Sequence, residues 1–245
     1  MRRWAILLLP LACAAAALAQ ERPPAAPYGL RLLWPVPEAA SPATGDAAAG
    51  RAIAMGGERH AGWACTQCHG LNGAAEGSGG FPNLAGQSGW YLYRQLQDYA
   101  SGARLNVVMT PITRAMGERA MRDVAAWYAA QRDAPLPPPP GASIRLLQQG
   151  GAINAVGIPA RGVTACSNCH GRQGEGGGPA VPVLAGQYAP YTALQLRLWK
   201  AGERRNGPLG VMAQVAAGLT EAEMDAVAAY FATLRPQRGA AQAGR

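Results

Sequence analysis

Apolar side chains recur at helical spacing in two stretches of the chain, one near its middle and one near its end. The first stretch presents Met116, Ala120, Met121, Val124, Trp127 and Tyr128 on one face. The second opens with the spacing of a capping box and continues with apolar positions: Thr220, Glu223, Met224, Val227, Phe231 and Leu234. The alanine-rich segment 45–57 predicts a further helix. Because strand-like alternation is nearly absent, the pattern predicts an all-α fold.

The C-terminal half of the chain repeats motifs of the N-terminal half in the same order. The matched segments are CTQCHGLNG at 65–73 with CSNCHGRQG at 166–174, PNLAGQ at 82–87 with PVLAGQ at 182–187 and, after a three-residue insertion, 109–128 with 212–231. The repeat predicts two domains, at residues 45–133 and 142–236, followed by a tail at 237–245. The proline-rich linker between them, 134–141, cannot continue a helix.

Each half contains one C-x-x-C-H motif, which uses four of the five cysteines. The motif residues are Cys65, Cys68 and His69 in the first half and Cys166, Cys169 and His170 in the second. This pattern is typical of covalent c-type haem attachment, in which the histidine also binds the iron. Three other uses of the C-x-x-C pairs are less suitable. A zinc site would need more ligands than a chain with three histidines provides. A redox-active pair would need a βαβ context, and a disulfide within the motif would close too small a loop to stabilise the fold. The sequence therefore predicts two haem c groups.

The distal face of each iron can hold a second ligand or remain open. Met109 and Met212 match across the repeat and lie in predicted loops before the C-terminal helices, which favours them as distal ligands. Met121 and Met224 also match, but they lie on apolar helix faces, where methionine usually fills a core. His60 lies on the proximal side, close to the first motif. A thioether opposite histidine raises the reduction potential and closes the iron to substrates, so an electron carrier is predicted rather than an enzyme.

Together these paired motifs resemble the dihaem class I cytochromes c of the cytochrome c4 type, over about residues 45–235. The resemblance implies two tandem class I cytochrome c domains in pseudo-twofold relation, each wrapped around one covalent haem c, with haem propionates near the shared interface. It implies that the backbone carbonyls of Pro82 and Pro182 accept the proximal histidine N–H. The residues predicted as propionate neighbours are Arg104, Asn106, Arg204 and Asn206.

The N-terminus is typical of a cleaved signal peptide at residues 1–19, with a basic start, an apolar run and a small-residue site at its end. An uncleaved membrane anchor and lipidation at Cys13 are the alternatives. The prediction is therefore export to the periplasm, with peripheral membrane contact left open. A Pro- and Ala-rich arm at 20–44 follows, and its apolar segment Tyr28–Pro37 could dock on this protein or on a partner.

Charge argues against a nucleic-acid partner. The formal net charge of +8 falls to +6 without Arg2 and Arg3, four haem propionates would subtract about four more, and no basic run is interleaved with aromatic residues. The first hypothesis is a periplasmic carrier of single electrons from a respiratory donor to a terminal oxidase or other acceptor. The alternative is a dedicated electron-transfer subunit of a periplasmic or membrane dehydrogenase complex. A dihaem peroxidase-type enzyme is a third hypothesis, and it requires a haem without a methionine ligand.

Overall fold

The computed structural model describes residues 45–57, 63–75 and 79–235. The predicted signal peptide, the N-terminal arm, His60 and the predicted tail at 237–245 lie outside these ranges. Helices dominate the described ranges, and no helix there has the length and apolar character needed to span a membrane. The prediction of an all-α fold is confirmed.

The two halves contain corresponding helices. The first half has α1 (Ala47–Ala54), α2 (Thr66–His69), α3 (Gly89–Ser101), α4 (Met109–Arg114) and α5 (Glu118–Ala130). The second has α6 (Ile144–Val156), α7 (Ser167–His170), α8 (Ala189–Lys200), α9 (Val211–Ala217) and α10 (Glu221–Thr233), with short 3₁₀ turns at Pro159–Arg161 and Pro208–Gly210. These ten helices of the described residues all lie inside the predicted domain ranges. The exact borders of the domains stay predictions.

Local capping explains where two of these helices begin. The Asp46 carboxylate accepts hydrogen bonds from the first turn of α1, within the helical segment predicted at 45–57. Thr220 and Glu223 form the predicted capping box of α10. Met116 was predicted on the apolar face of α5, but this helix begins only at Glu118 and Met116 lies in the preceding turn. Its side chain is nevertheless buried in the first core.

Each half has its own apolar core between its first and last helices. Met121 packs in the first core with Ile53 and Val124, and Met224 packs in the second with Ile153 and Phe231. Both methionines are buried, which confirms the prediction that they fill the cores.

A glycine permits close packing where the first and last helices of each half cross. A Cβ atom on Gly50 would lie 1.9 Å from the carbonyl oxygen of Asp123, and one on Gly150 would lie 2.1 Å from that of Ala226. Any larger residue would therefore push the two helices apart. The crossing matters for the site because α5 and α10 form walls of the large cavity described below.

The two halves meet through a reciprocal pair of side-chain amides. The Gln87 amide donates to the Val183 carbonyl and accepts from the Val183 N–H, both at 3.0 Å. The repeat-related Gln187 donates to the Asn83 carbonyl at 2.9 Å and accepts from the Asn83 N–H at 2.8 Å. Each amide therefore satisfies both backbone groups of one residue across the interface. These four hydrogen bonds fix how the halves are placed relative to each other.

We expect Gly150→Val to lower the free energy of unfolding by at least about 2 kcal/mol, because overpacking a tight contact forces α6 away from α10. Gly141→Val is the matched control, since a Cβ atom at Gly141 meets nothing within 4 Å. Chemical denaturation of the two variants would measure the difference. Equal stabilities would show that the crossing tolerates a side chain.

We expect Gln187→Met to accelerate hydrogen exchange at the Asn83 amide by about tenfold or more, because it leaves a buried N–H without its acceptor. Gln87→Met is the control, and it should affect Val183 less, because that contact is only partly buried. Amide exchange measured by NMR would test both. An unchanged Asn83 rate would mean that the amide pairing does not protect this interface.

Candidate haem sites

Both C-x-x-C-H motifs fold as single helical turns. In the first, the Cys65 carbonyl accepts from the His69 N–H at 2.9 Å, which brings the thiols of Cys65 and Cys68 to one face of α2. The second motif repeats this with 2.9 Å between the same atoms of Cys166 and His170. The four thiols are free and partly buried, as covalent attachment to a large apolar group requires.

Both motif histidines are buried and oriented by a backbone carbonyl. The Nδ1 atom of His69 lies 3.2 Å from the Pro82 carbonyl oxygen, and that of His170 lies 3.0 Å from the Pro182 oxygen. A proton on Nδ1 donates to this carbonyl and leaves the Nε2 lone pair available for a metal. Burial lowers the pKa of both imidazoles, against the opposing effect of the carbonyl, which favours the neutral form that binds iron.

One large cavity joins the two motifs. Its volume is about 1820 Å³, which exceeds the roughly 300–1,000 Å³ typical of a single small-molecule site. The four motif cysteines and both motif histidines line it, together with apolar side chains from both cores, such as Leu84, Val124, Leu184 and Val227. A space of this size, with two sets of thiols and imidazoles, fits two large planar groups.

The predicted distal methionines line this cavity, whereas the core methionines Met121 and Met224 do not; Met116, buried in the first core, also lines it. Met109 is the first residue of α4 and Met212 is the second residue of α9, and both are half-buried. The prediction that both lie in loops is wrong, because both lie in the first turn of a short helix. The Asn106 side chain caps the first of these helices, a local contact that the sequence analysis overlooked.

Arg104 lies buried in the interface between the halves. Its guanidinium donates to Tyr191 Oη and Gln195 Oε1, both at 2.7 Å, and to Gln95 Oε1 at 2.8 Å. Two of these three acceptors belong to the other half. The guanidinium therefore lies among neutral acceptors.

Arg204 repeats this arrangement from the opposite side. It donates to Gln195 Oε1 at 2.9 Å, to Gln95 Oε1 at 3.0 Å and to Tyr91 Oη at 3.3 Å. Burial and the neighbouring charge of Arg104 lower the pKa of Arg204. Two buried cations that share neutral acceptors form a site suited to anionic groups. Haem propionates have the required charge, and both arginines line the cavity.

The two predicted asparagines have different environments although both line the cavity. Asn106 is exposed, and its Oδ1 accepts from the N–H groups of Val108 and Met109. Asn206 is buried, and its Nδ2 donates across the interface to Gln95 and Asp98. The repeat therefore conserves the residue type but not its contacts.

Sequence reasoning did not single out the polar residues of α3 and α8 that surround the arginines: Tyr91, Gln95, Asp98, Tyr191 and Gln195. The signal was present, since Tyr91 matches Tyr191 and Gln95 matches Gln195 in the repeat. Tyr128 was assigned to the apolar helix face only. Tyr128 also lines the cavity, and no described residue forms a hydrogen bond with its buried hydroxyl.

Comparison with known proteins identifies the family. Residues 47–134 and 163–235 match the family model described as Cytochrome c. A thiosulfate dehydrogenase electron acceptor of Stutzerimonas stutzeri (strain A1501) is 38% identical over 184 residues, covering 74% of this chain and 83% of that protein.

Two solved structures have similar folds. The crystal structure of reduced recombinant cytochrome c4 from Pseudomonas stutzeri has a TM-score of 0.68 and 32% identity, covering 78% of this chain and 100% of that one. A thiosulfate dehydrogenase from Marichromatium purpuratum has a TM-score of 0.69 and 34% identity, covering 77% of this chain and 40% of that one. The chain therefore belongs to the cytochrome c family, as a cytochrome c4-like electron carrier with two cytochrome c domains and covalently bound haem c.

Proposed function

We propose that this protein accepts electrons from a thiosulfate dehydrogenase, one on each haem, and delivers them singly to a terminal oxidase or another acceptor. The observation that carries the proposal is that both histidine–methionine pairs line one cavity spanning the interface between the halves. The Stutzerimonas stutzeri relative is a thiosulfate dehydrogenase electron acceptor, which supports this choice of donor. We also propose that the protein works in the periplasm, because residues 1–19 have the pattern of an export signal.

The ligand assignment follows the motifs and the cavity. Cys65 and Cys68 would hold one haem, with His69 and Met109 as ligands of its iron. In the second half Cys166 and Cys169 would hold the other, with His170 and Met212 as ligands. A bound haem supplies reversible one-electron exchange at its iron.

The protein's own residues restrain the proposed iron ligands. The Pro82 and Pro182 carbonyls hold the imidazole rings through Nδ1, which limits their rotation during electron exchange. The buried guanidiniums of Arg104 and Arg204 offer partners to propionates at the interface.

The stoichiometry of the donor reaction also fits two haems. Joining two thiosulfate ions through an S–S bond releases two electrons, and two one-electron sites can take them both. In the Marichromatium purpuratum enzyme, the region similar to this chain forms 40% of the dehydrogenase chain and is therefore covalently joined to its remainder. This favours a dedicated electron-transfer partner of a dehydrogenase as the second candidate. The arm segment Tyr28–Pro37 would then hold the complex together.

We expect Met109→His and Met212→His each to lower the reduction potential of one haem by on the order of 0.1 V or more, because imidazole stabilises ferric iron better than a thioether does. Each variant should also remove one of two methionine–iron charge-transfer bands from the ferric spectrum. Spectroelectrochemical titration measures both effects. Met121→Leu is the control, since it changes a core methionine that lies outside the cavity.

The same spectra separate a carrier from a peroxidase-type enzyme. A wild-type ferric spectrum with a single charge-transfer band would favour the enzyme, because one iron would then lack methionine. Unchanged potentials in both histidine variants would refute the ligand assignment.

We expect a purified thiosulfate dehydrogenase, supplied with thiosulfate, to reduce both haems of the oxidised protein at one thiosulfate per haem. Haem absorbance followed by stopped flow measures the rate and the extent. Deleting residues 22–40 separates the two candidates: a free carrier keeps its donor affinity, whereas a dedicated subunit loses it. If the protein stays oxidised while a monohaem cytochrome c is reduced in the same assay, the proposed donor is wrong.

A further inference from the structure

The helix that carries Met109 is held by contacts within its own half. Asn106 Oδ1 accepts from the N–H groups of Val108 at 2.9 Å and Met109 at 2.8 Å. The Asn106 N–H in turn donates to Thr110 Oγ1 at 3.0 Å. These bonds link the loop to the first turn of α4 and need nothing from the second half.

The segment that carries Met212 is held differently. The matching Asn206 lies before the three-residue insertion, and no side chain caps α9. The Nδ2 atom of Asn206 donates instead to Asp98 Oδ2 at 2.7 Å and to Gln95 Oε1 at 2.9 Å, both on α3 of the first half. Its Oδ1 accepts from Arg204 Nε at 2.8 Å. The side chain of Asn206 is thus fixed mainly by the other domain.

The insertion itself offers little support to the methionine. Leu209 has a φ of +51° in the left-handed region that non-glycine residues avoid, and its side chain is exposed. Gly207 and Gly210 on either side also have positive φ, at 121° and 66°. Asn206 is therefore the nearest firm attachment before Met212 along the chain.

Asp98 is the charged member of this attachment. It is buried at 3% exposure in the last turn of α3, and its Oδ1 pairs with Arg94 Nε at 3.1 Å. The matched residue in the second half is Leu198, so no equivalent contact can reach the Met109 segment. A short hydrogen bond from an amide to a buried carboxylate is stronger than one between neutral groups.

We propose that Asp98 is a positioning residue for Met212. Through Asn206 it holds, from the first domain, the segment that presents the distal ligand of the second domain. The distal ligation in the second half then depends on the docked interface as well as on the packing of Met212 against its own core, whereas that in the first half depends on its own Asn106 cap. This inference rests on the proposed assignment of Met109 and Met212 as ligands.

The test is the ease with which added imidazole displaces each methionine from ferric protein. Asp98→Leu introduces the residue found at the matched position 198. We expect imidazole to bind about tenfold more tightly in the second domain, the factor that corresponds to losing one hydrogen bond to a buried charge. The charge-transfer band of that domain should weaken, while imidazole affinity in the first domain should change less than about twofold. The Met109→His and Met212→His proteins assign each signal to its domain.

Four further variants distinguish positioning from general loosening of the interface. Asp98→Asn keeps an acceptor oxygen and should restore most of the wild-type behaviour. Asn206→Leu removes the same contact from its other side and should raise imidazole affinity in the second domain as Asp98→Leu does; it decides the matter if Asp98→Leu fails to fold, and unchanged affinity there would overturn the proposal. Tyr188→Phe removes another polar contact between the halves, in which the Tyr188 hydroxyl donates to the carbonyls of Ala75 and, at 3.1 Å, Ala74, and it should leave both domains unchanged. Asn106→Ala should raise imidazole affinity in the first domain only, because it removes the cap of the helix that carries Met109.

The proposal is overturned if Asp98→Leu leaves imidazole affinity in the second domain unchanged, or if Tyr188→Phe raises it equally. It is also overturned if Asp98→Leu alters both domains alike. A wild-type ferric spectrum without a methionine band for the second domain would instead refute the ligand assignment, and this inference with it.

Discussion

The buried polar contacts between the two halves determine the geometry of everything else in the site. Gln87 and Gln187 each satisfy both backbone groups of a residue in the opposite half, and Arg104 and Arg204 share the acceptors Gln95 and Gln195. Buried polar groups are costly unless every partner is in place, so such an interface favours one relative placement over its neighbours. That placement joins the two motif regions in one cavity. The cores of the halves stabilise each domain, but this polar interface brings the two sites together.

The features that could be predicted from sequence are those determined by local chemistry. The C-x-x-C-H motif needs only one helical turn to bring its thiols together, and the capping box at Thr220 needs only four residues. Met121 and Met224 were predicted as core residues because their helical period is local too. Asn106 belongs to the same class, since an asparagine three residues before Met109 predicts a cap. The loop predicted there was wrong because that signal was overlooked.

The features that could not be predicted depend on contacts between one half of the chain and the other. Tyr91, Gln95 and Asp98 look like polar positions on an amphipathic helix, and on an isolated domain they would face water. Docking of the second half buries Gln95 and Asp98 and turns them into hydrogen-bond partners of Arg204 and Asn206. Periodicity within one helix contains no information about this contact. The repeat showed that Gln95 and Gln195 match, but not that they share the same two arginines.

A two-site carrier gains direction only if its sites differ, and here the axial ligands proposed for the two irons are the same. Any difference must therefore come from other positions, either unmatched side chains or matched residues whose contacts differ, as those of Asn106 and Asn206 do. Tyr128, whose buried hydroxyl has no described hydrogen-bond partner, is replaced by Phe231 in the second half, and Asp98 is replaced by Leu198. A hydroxyl dipole that lines the cavity and a buried carboxylate at the interface would act on the reduction potential of a bound haem through the electrostatic field, without altering a ligand. The repeat thus keeps two similar sets of proposed ligands, and a few side chains and contacts that differ between the halves would set the direction in which electrons move between two such sites.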